Sequence, residues 1–171
     1  LIPTLPPEEV FDEDKEDPST LKQIQRSHEH DEFFQSFMGN KPRALAEELL
    51  GELVIAKNLQ YFNKPPGLNQ ATPAHQDGHY FMLKPCRALT MWMALDSVDD
   101  ENGCVRYLRG SPRHGLRAHE RTPTLGFSHG IVDFGKKHNS SEDPITANPG
   151  TLLANQPFTV QRDDHTPRHK T

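Results

Sequence analysis

After Gly51 the chain becomes a series of short apolar runs broken by turn residues: "ELVIAKNLQYFN", "HYFML", "RALTMWMALDSV", "CVRYLRG", "GIVDFG", "GTLLAN" and "PFTVQR". Most are rich in β-branched or aromatic residues and bounded by turn residues, so they read as strands. Gly, Pro and Asp/Asn pairs separate them, as in "KPPGLNQATPA" and "DDENG", so neighbouring runs should turn back on one another. Short strands preceded by helices predict a β-sandwich or small barrel with a helical flank.

The first half has a different texture. "LIPTLPPEEVFDEDKEDPST", residues 1–20, is acidic and studded with proline, and is expected to be an extended lead-in with little core of its own. From Thr20 the apolar residues recur loosely through "TLKQIQRSHEHDEFFQSFMG", which suggests helix. A clearer helix follows at "KPRALAEELLGE", with Pro42 near its start and Gly51 just past its end. The His28, Glu29, His30, Asp31 cluster is placed at a helix start. With 171 residues the chain is expected to be a single domain, 1–171. Its 33% hydrophobic content and 15 prolines imply a fold rich in ordered loop.

A net charge of −5 and a pI near 6.0 offer no footprint for nucleic acid or an anionic membrane, so a small molecule is the expected partner. Cys86 and Cys104 are the only cysteines and form no Cys-x-x-Cys pair, which argues against a disulfide scaffold or a zinc knuckle. No apolar run approaches the roughly 20 residues that span a bilayer. A cytoplasmic protein is expected.

"TPAHQDGHYFML" carries the chemistry. In a strand, side chains two apart share a face, so His75 and Asp77 at a strand end would face one cation together. Imidazole and carboxylate on one face, completed by a distant third ligand, is the arrangement of non-heme iron(II) oxygenases, with three positions left for cosubstrate and dioxygen. By itself the pair is equally consistent with a loop histidine and a capping aspartate.

Several stretches occur together in order: "TLKQIQRSHEHDEFF", "NLQYFNKPPG", "TPAHQDGHYFML", "ALTMWMALDSVDDENGCVRYLRGS" and "PGTLLANQPFTVQR". Together, over roughly residues 18 to 162, they resemble the phytanoyl-CoA dioxygenase family of iron(II) and 2-oxoglutarate dependent hydroxylases. The resemblance implies a mainly β fold with flanking helices around a double-stranded β-helix, the jelly-roll or cupin-like core. It implies Fe(II) as cofactor, 2-oxoglutarate and dioxygen as cosubstrates, and hydroxylation of an unactivated carbon of a small organic substrate. On it, His75 and Asp77 are the first two iron ligands. Because related halogenases lack this carboxylate, halogenation is disfavoured.

The resemblance also matches Lys22, Gln60 and Trp92 to positions that contact 2-oxoglutarate. Read without it, they are a solvated lysine, a strand glutamine and a core aromatic. At the distal motif the chain departs from the family: "PFTVQRDDHTPRHKT" puts Gln161 where the family has its ligand histidine. A glutamine carbonyl is a neutral, weaker ligand than imidazole. His165 is the alternative, four residues and about 13 Å further along a strand. Arg168 is the best match for the arginine that grips the far carboxylate of 2-oxoglutarate, with Lys170 as alternative. A non-catalytic jelly-roll homologue that binds metal or ligand weakly therefore stands as a second reading. His79 and Tyr80 are placed near substrate or in a turn, and His114 in a surface turn. Residues 119–144 form a polar specificity loop.

Overall fold

Pro42 sets the first turn of a helix over Lys41–Leu50, and Gly51, at φ +70°, ends it by donating its N–H to the Glu47 carbonyl at 2.8 Å. The computed structural model describes residues 5–65, 71–135 and 142–164. His165, Arg168, Lys170 and part of the 119–144 loop lie outside them. The chain divides into two compact units, Leu1–Leu68 and Asn69–Thr171.

In the N-terminal unit, β1 (Val10–Asp12), β2 (Leu21–Ile24) and β3 (Tyr61–Phe62) form an antiparallel sheet in that order. Between β2 and β3 lie α1 (Ser27–His30), α2 (Glu32–Gly39) and α3 (Lys41–Leu50). Asp31 caps α2, accepting from the Phe33 and Phe34 N–H groups at 2.9 and 3.2 Å, so the acidic and histidine cluster does precede a helix.

Three expectations here are corrected. The lead-in is not a bare arm, because Leu5, Glu9 and Thr20 are buried, and the Thr20 hydroxyl donates to the Asp17 carbonyl at 2.7 Å. "LKQI" is strand rather than helix. Pairing with the lead-in, Val10 with Ile24 and Phe11 with Gln23, supplies hydrogen bonds that a local pattern does not reveal. Within "ELVIAKNLQYFN" only Tyr61–Phe62 is strand. Leu53 and Ile55 are each 86% exposed, with no surface among the described residues to bury them.

The C-terminal unit carries β4 (His75–Gln76), α4 (Asp77–Phe81), β5 (Thr90–Met93), β6 (Val105–Leu108), β7 (His119–Arg121), β8 (His129–Ile131), β9 (Glu142–Pro144), β10 (Leu152–Asn155) and β11 (Val160–Asp163). The predicted strands at "RALTMWMALDSV", "CVRYLRG", "GIVDFG", "GTLLAN" and "PFTVQR" are all present, and "DDENG" is a tight turn. There the Asp99 side chain accepts from the Asn102 N–H while Asn102 accepts in return from the Asp99 N–H.

The "HYFML" strand is corrected to helix. After His75 and Gln76 the chain turns sharply because Gly78 lacks a side chain: a Cβ there would lie 2.8 Å from the Phe158 ring. The turn is anchored by the Gly78 N–H donating to the Pro157 carbonyl at 2.8 Å.

The strands form a four-stranded sheet in the order β4-β11-β6-β9, the pair β10-β5 and the hairpin β7-β8, all antiparallel. Ala74, Leu108, Ile131 and Val160, flanked by Phe134, make a small core beneath the larger sheet. The sheet edge is tied by ions: Arg162 reaches both Glu142 oxygens at 2.8 and 2.6 Å. Fully burying a Leu, Ile or Val side chain contributes about 1.5–3 kcal/mol and alanine less, so this cluster leaves much of the stability to backbone and side-chain hydrogen bonds.

Candidate metal centre

The register of β4 and β11 puts Gln161 directly opposite His75, and Val160 opposite Gln76. Residues facing each other across antiparallel strands share a face, so His75 and Gln161 project to one side. Asp77, at the start of α4, joins them. His75 Nε2 lies 3.5 Å from Asp77 Oδ1. The Gln161 side-chain nitrogen donates to Asp77 Oδ1 at 2.6 Å and lies 3.3 Å from His75 Nε2. Three residues separated by up to 86 positions thus bring one polar atom each to a common point.

Their supports are equally specific. His75 Nδ1 donates to the Pro73 carbonyl at 2.9 Å, which turns Nε2 toward Asp77 and Gln161. Asp77 Oδ2 accepts from the Thr90 hydroxyl at 2.5 Å and from the Asn155 amide at 3.4 Å. Thr90 and Asn155 are partners across β5 and β10. One carboxylate therefore faces Gln161 of the four-stranded sheet with one oxygen and the β5–β10 pair with the other. Tyr107 adds its hydroxyl to Asn155 at 3.3 Å. Its phenol is pushed up to about 12 by burial and by the charge of Asp77.

Burial alone would raise the Asp77 carboxyl. The His75 hydrogen bond and charge, with the bonds from Thr90 and Asn155, outweigh it and hold Asp77 below the usual carboxylate range. Three more imidazoles gather alongside. His79 stacks on His119 with centroids 4.1 Å apart, and His129 lies 5.0 Å from His79. Burial, with the neighbouring His129, lowers His79. Burial also lowers His119, against its bond to the Arg117 carbonyl, so both are held toward the neutral form.

Gln76, between His75 and Asp77, points the opposite way and is fully buried. Its amide donates to the Gly115 and Phe158 carbonyls at 2.9 and 2.7 Å and accepts from the Arg117 N–H at 2.8 Å. Nearby, Asp163 accepts from both the Thr72 N–H and the Thr72 hydroxyl at 2.6 Å, and Ser111 accepts from the Val160 N–H at 2.9 Å. Sequence reasoning missed Gln76, Thr90, Asn155 and Asp163. The only available signal was the two-residue alternation, which sends Gln76 to the reverse of the His75 face and Trp92 to the same face of β5 as Thr90.

The remaining predicted positions fall as follows. Trp92 is half-buried on β5, two residues from Thr90. Lys22 and Gln60 belong to the N-terminal unit: Lys22 is buried with Nζ 2.8 Å from Glu13, and Gln60 accepts from the Gln23 amide at 2.7 Å. Arg168 lies outside the described residues, as does His165. Within 119–144 the described residues include the β7–β8 hairpin and β9. His114 ends a short 3-10 turn, Ser111–His114, as anticipated.

The donor set can be tested against an ion. Three cis ligands at about 2.1 Å from a metal lie about 3 Å from one another. The observed separations of 3.5, 3.3 and 2.6 Å bracket that value. With nitrogen inward, the Gln161 amide hydrogen-bonds the pair. Turned over about its last torsion, it would present its carbonyl oxygen at the same place, giving one nitrogen and two oxygen ligands. The residues fit a divalent first-row ion on these terms.

A family model described as Phytanoyl-CoA dioxygenase (PhyH) matches residues 4–154. The peroxisomal phytanoyl-CoA dioxygenase of Bos taurus is 29% identical over 126 residues, covering 69% of this chain and 37% of the relative. That of Mus musculus is 30% identical over 122 residues, covering 67% and 36%. The chain therefore spans well under two thirds of the length of the curated relatives it matches.

Among solved structures, EctD from S. alaskensis with 2-oxoglutarate and 5-hydroxyectoine superposes with a TM-score of 0.73 at 15% identity, covering 96% of this chain and 57% of that one. The non-heme alpha ketoglutarate dependent carbocyclase SnoK gives 0.66 at 19%, covering 85% and 58%. At such identities the likeness speaks for the fold, and the expected mainly β jelly-roll with few helices is borne out. No helix among the described residues is long and apolar enough to cross a membrane. With the family model matched over most of its length, the chain belongs to the phytanoyl-CoA dioxygenase family.

Proposed function

We propose that this chain carries the metal-binding part of a non-heme iron(II) and 2-oxoglutarate dependent oxygenase that hydroxylates an unactivated carbon of a small organic substrate. The observation that carries the reading is the meeting of His75 Nε2, Asp77 Oδ1 and the Gln161 amide within 2.6 to 3.5 Å. His75, Asp77 and Gln161 would hold the iron, which when bound supplies the activation of dioxygen coupled to decarboxylation of 2-oxoglutarate.

The chain's own residues contribute orientation and shielding. The Pro73 carbonyl keeps the His75 ring turned with Nε2 inward, and Thr90 keeps Asp77 from rotating away. Trp92, on the Thr90 face of β5, supplies an apolar wall suited to excluding water from a reactive centre. The imidazoles of His79 and His119, held toward neutrality, offer the substrate hydrogen-bonding edges without adding positive charge beside the cation. By resemblance we assign Lys22, Gln60 and Arg168 to 2-oxoglutarate, and we assign the protein to the cytoplasm; cell imaging of the tagged protein tests the latter, and a peroxisomal signal overturns it.

The experiment is an anaerobic titration with Fe(II) and 2-oxoglutarate, following the weak visible charge-transfer band of the chelated cosubstrate. A saturable band at one iron per chain, lost in Asp77→Ala, is the expected result. Gln161→His should tighten iron at least about tenfold, because imidazole replaces an amide carbonyl. No band from a chain that circular dichroism shows to be folded overturns the oxygenase reading and leaves a jelly-roll homologue without turnover.

A further inference from the structure

A second group of metal-ligating side chains lies in the N-terminal unit. The pairing of Val10 with Ile24 brings Glu9 beside the end of β2, where the Gln25 N–H donates to the Glu9 carbonyl at 2.9 Å. Arg26 then takes the left-handed conformation, φ +49°, and turns the chain into α1. That turn delivers Glu29 and His30 to the Glu9 side chain: one ligating atom from each of the three lies within 4.8 Å of the others.

Glu9 is 4% exposed, and its two oxygens differ. Oε1 is held by the Arg26 guanidinium at 2.7 Å. Oε2 is buried and accepts no hydrogen bond, although His30 Nε2 comes within 3.1 Å of it. Two groups at that distance without a hydrogen bond lie side by side rather than aimed at each other. Ligands of one ion do this, since each aims at the ion and adjacent donor atoms sit about 3 Å apart. A buried carboxylate oxygen left so costs free energy that a cation would recover.

The geometry points to a divalent-cation site formed by Glu9, Glu29 and His30, separate in sequence and in unit from the His75 centre. Glu9 is the buried floor, oriented by Arg26 as outer-shell partners orient metal-ligating carboxylates. Glu29 and His30, with side chains 49% and 29% exposed, form a mouth open to water that completes the coordination. His28 Nε2 lies 4.0 Å from Glu29 Oε1, at the edge of the group. Glu9 and Glu29 against Arg26 leave one net negative charge to meet a dication. One imidazole with two carboxylates suits zinc or manganese(II) better than calcium, which takes six to eight oxygens, or magnesium, which retains its waters.

Equilibrium dialysis against Zn2+, with Mn2+ in parallel, tests the site by stoichiometry. The double variant Glu29→Gln, His30→Gln changes only exposed side chains, and circular dichroism checks that it stays folded. It should bind one equivalent per chain fewer than the unaltered protein. His75→Ala should retain that equivalent, which separates this site from the iron centre whichever way the oxygenase reading falls. Equal stoichiometry in the unaltered protein and the double variant overturns the inference, as does an equivalent that disappears only with His75→Ala.

Discussion

The two faces of the β4–β11 strand pair differ in how completely they are satisfied. On one face His75, Asp77 and Gln161 touch one another through single polar atoms, and Gln161 is only half-buried. On the other, Gln76 is fully buried with three backbone partners, and Val160, paired opposite it, is 1% exposed. The reverse face is tied to the backbone, whereas the front face brings three polar side chains together. A cluster held by side-chain contacts alone thus stands one residue away from a scaffold bonded to the backbone.

The largest test of that contrast pairs two similar substitutions. Gln76→Leu strands two carbonyls and an N–H, each worth about 1–3 kcal/mol, so it should cost about 3 kcal/mol or more. Gln161→Leu should cost less in the same urea titration, about 1 kcal/mol, because Asp77 keeps its bonds from Thr90 and Asn155 and His75 keeps the Pro73 carbonyl. Equal losses would mean that the front face is structural too.

Asp163→Ala comes next, at about 2 kcal/mol, since it leaves the Thr72 N–H and hydroxyl without their acceptor. Hydrogen exchange at the Thr72 amide should accelerate before the rest of β11 opens. Unchanged protection there would show that strand pairing alone holds the register.

The smallest effect belongs to Thr90→Val on the front face, which removes one of the bonds that lower Asp77. A carboxyl depressed in the folded chain adds stability that is present above its unfolded pKa of about 3.9 and is lost as pH falls through the folded value. With Thr90 gone the folded value rises toward the unfolded one. Acid unfolding followed by circular dichroism should then begin at a higher pH than in the unaltered chain, with little change at neutral pH. An unmoved acid limb would assign the Asp77 depression to His75 and Asn155.

How far the residues spoke for themselves varies along the chain. The helix over Lys41–Leu50 was legible because Pro42 and Gly51 act within one turn of where they stand. Most of the second-half strands were legible from their turns. "HYFML" was misread because its composition suits a strand, whereas the backbone direction is decided by Phe158 packing where Gly78 has no side chain. "LKQI" was misread because its partner strand lies in an acidic, proline-rich stretch that shows no strand pattern.

Sequence order and residue chemistry by themselves determined which polar groups are available: an imidazole and a carboxylate two residues apart, and a glutamine at 161. Tertiary structure alone decided that they meet. Gln161 reaches His75 because β11 pairs with β4 in one register. Asp77 is fixed by a hydroxyl and an amide from two other strands. Glu9 finds His30 because a left-handed turn at Arg26 follows a strand pairing. The physical reason is that hydrogen bonds between distant strands fix position to a fraction of an ångström, whereas sequence spacing constrains only neighbours within a turn or two.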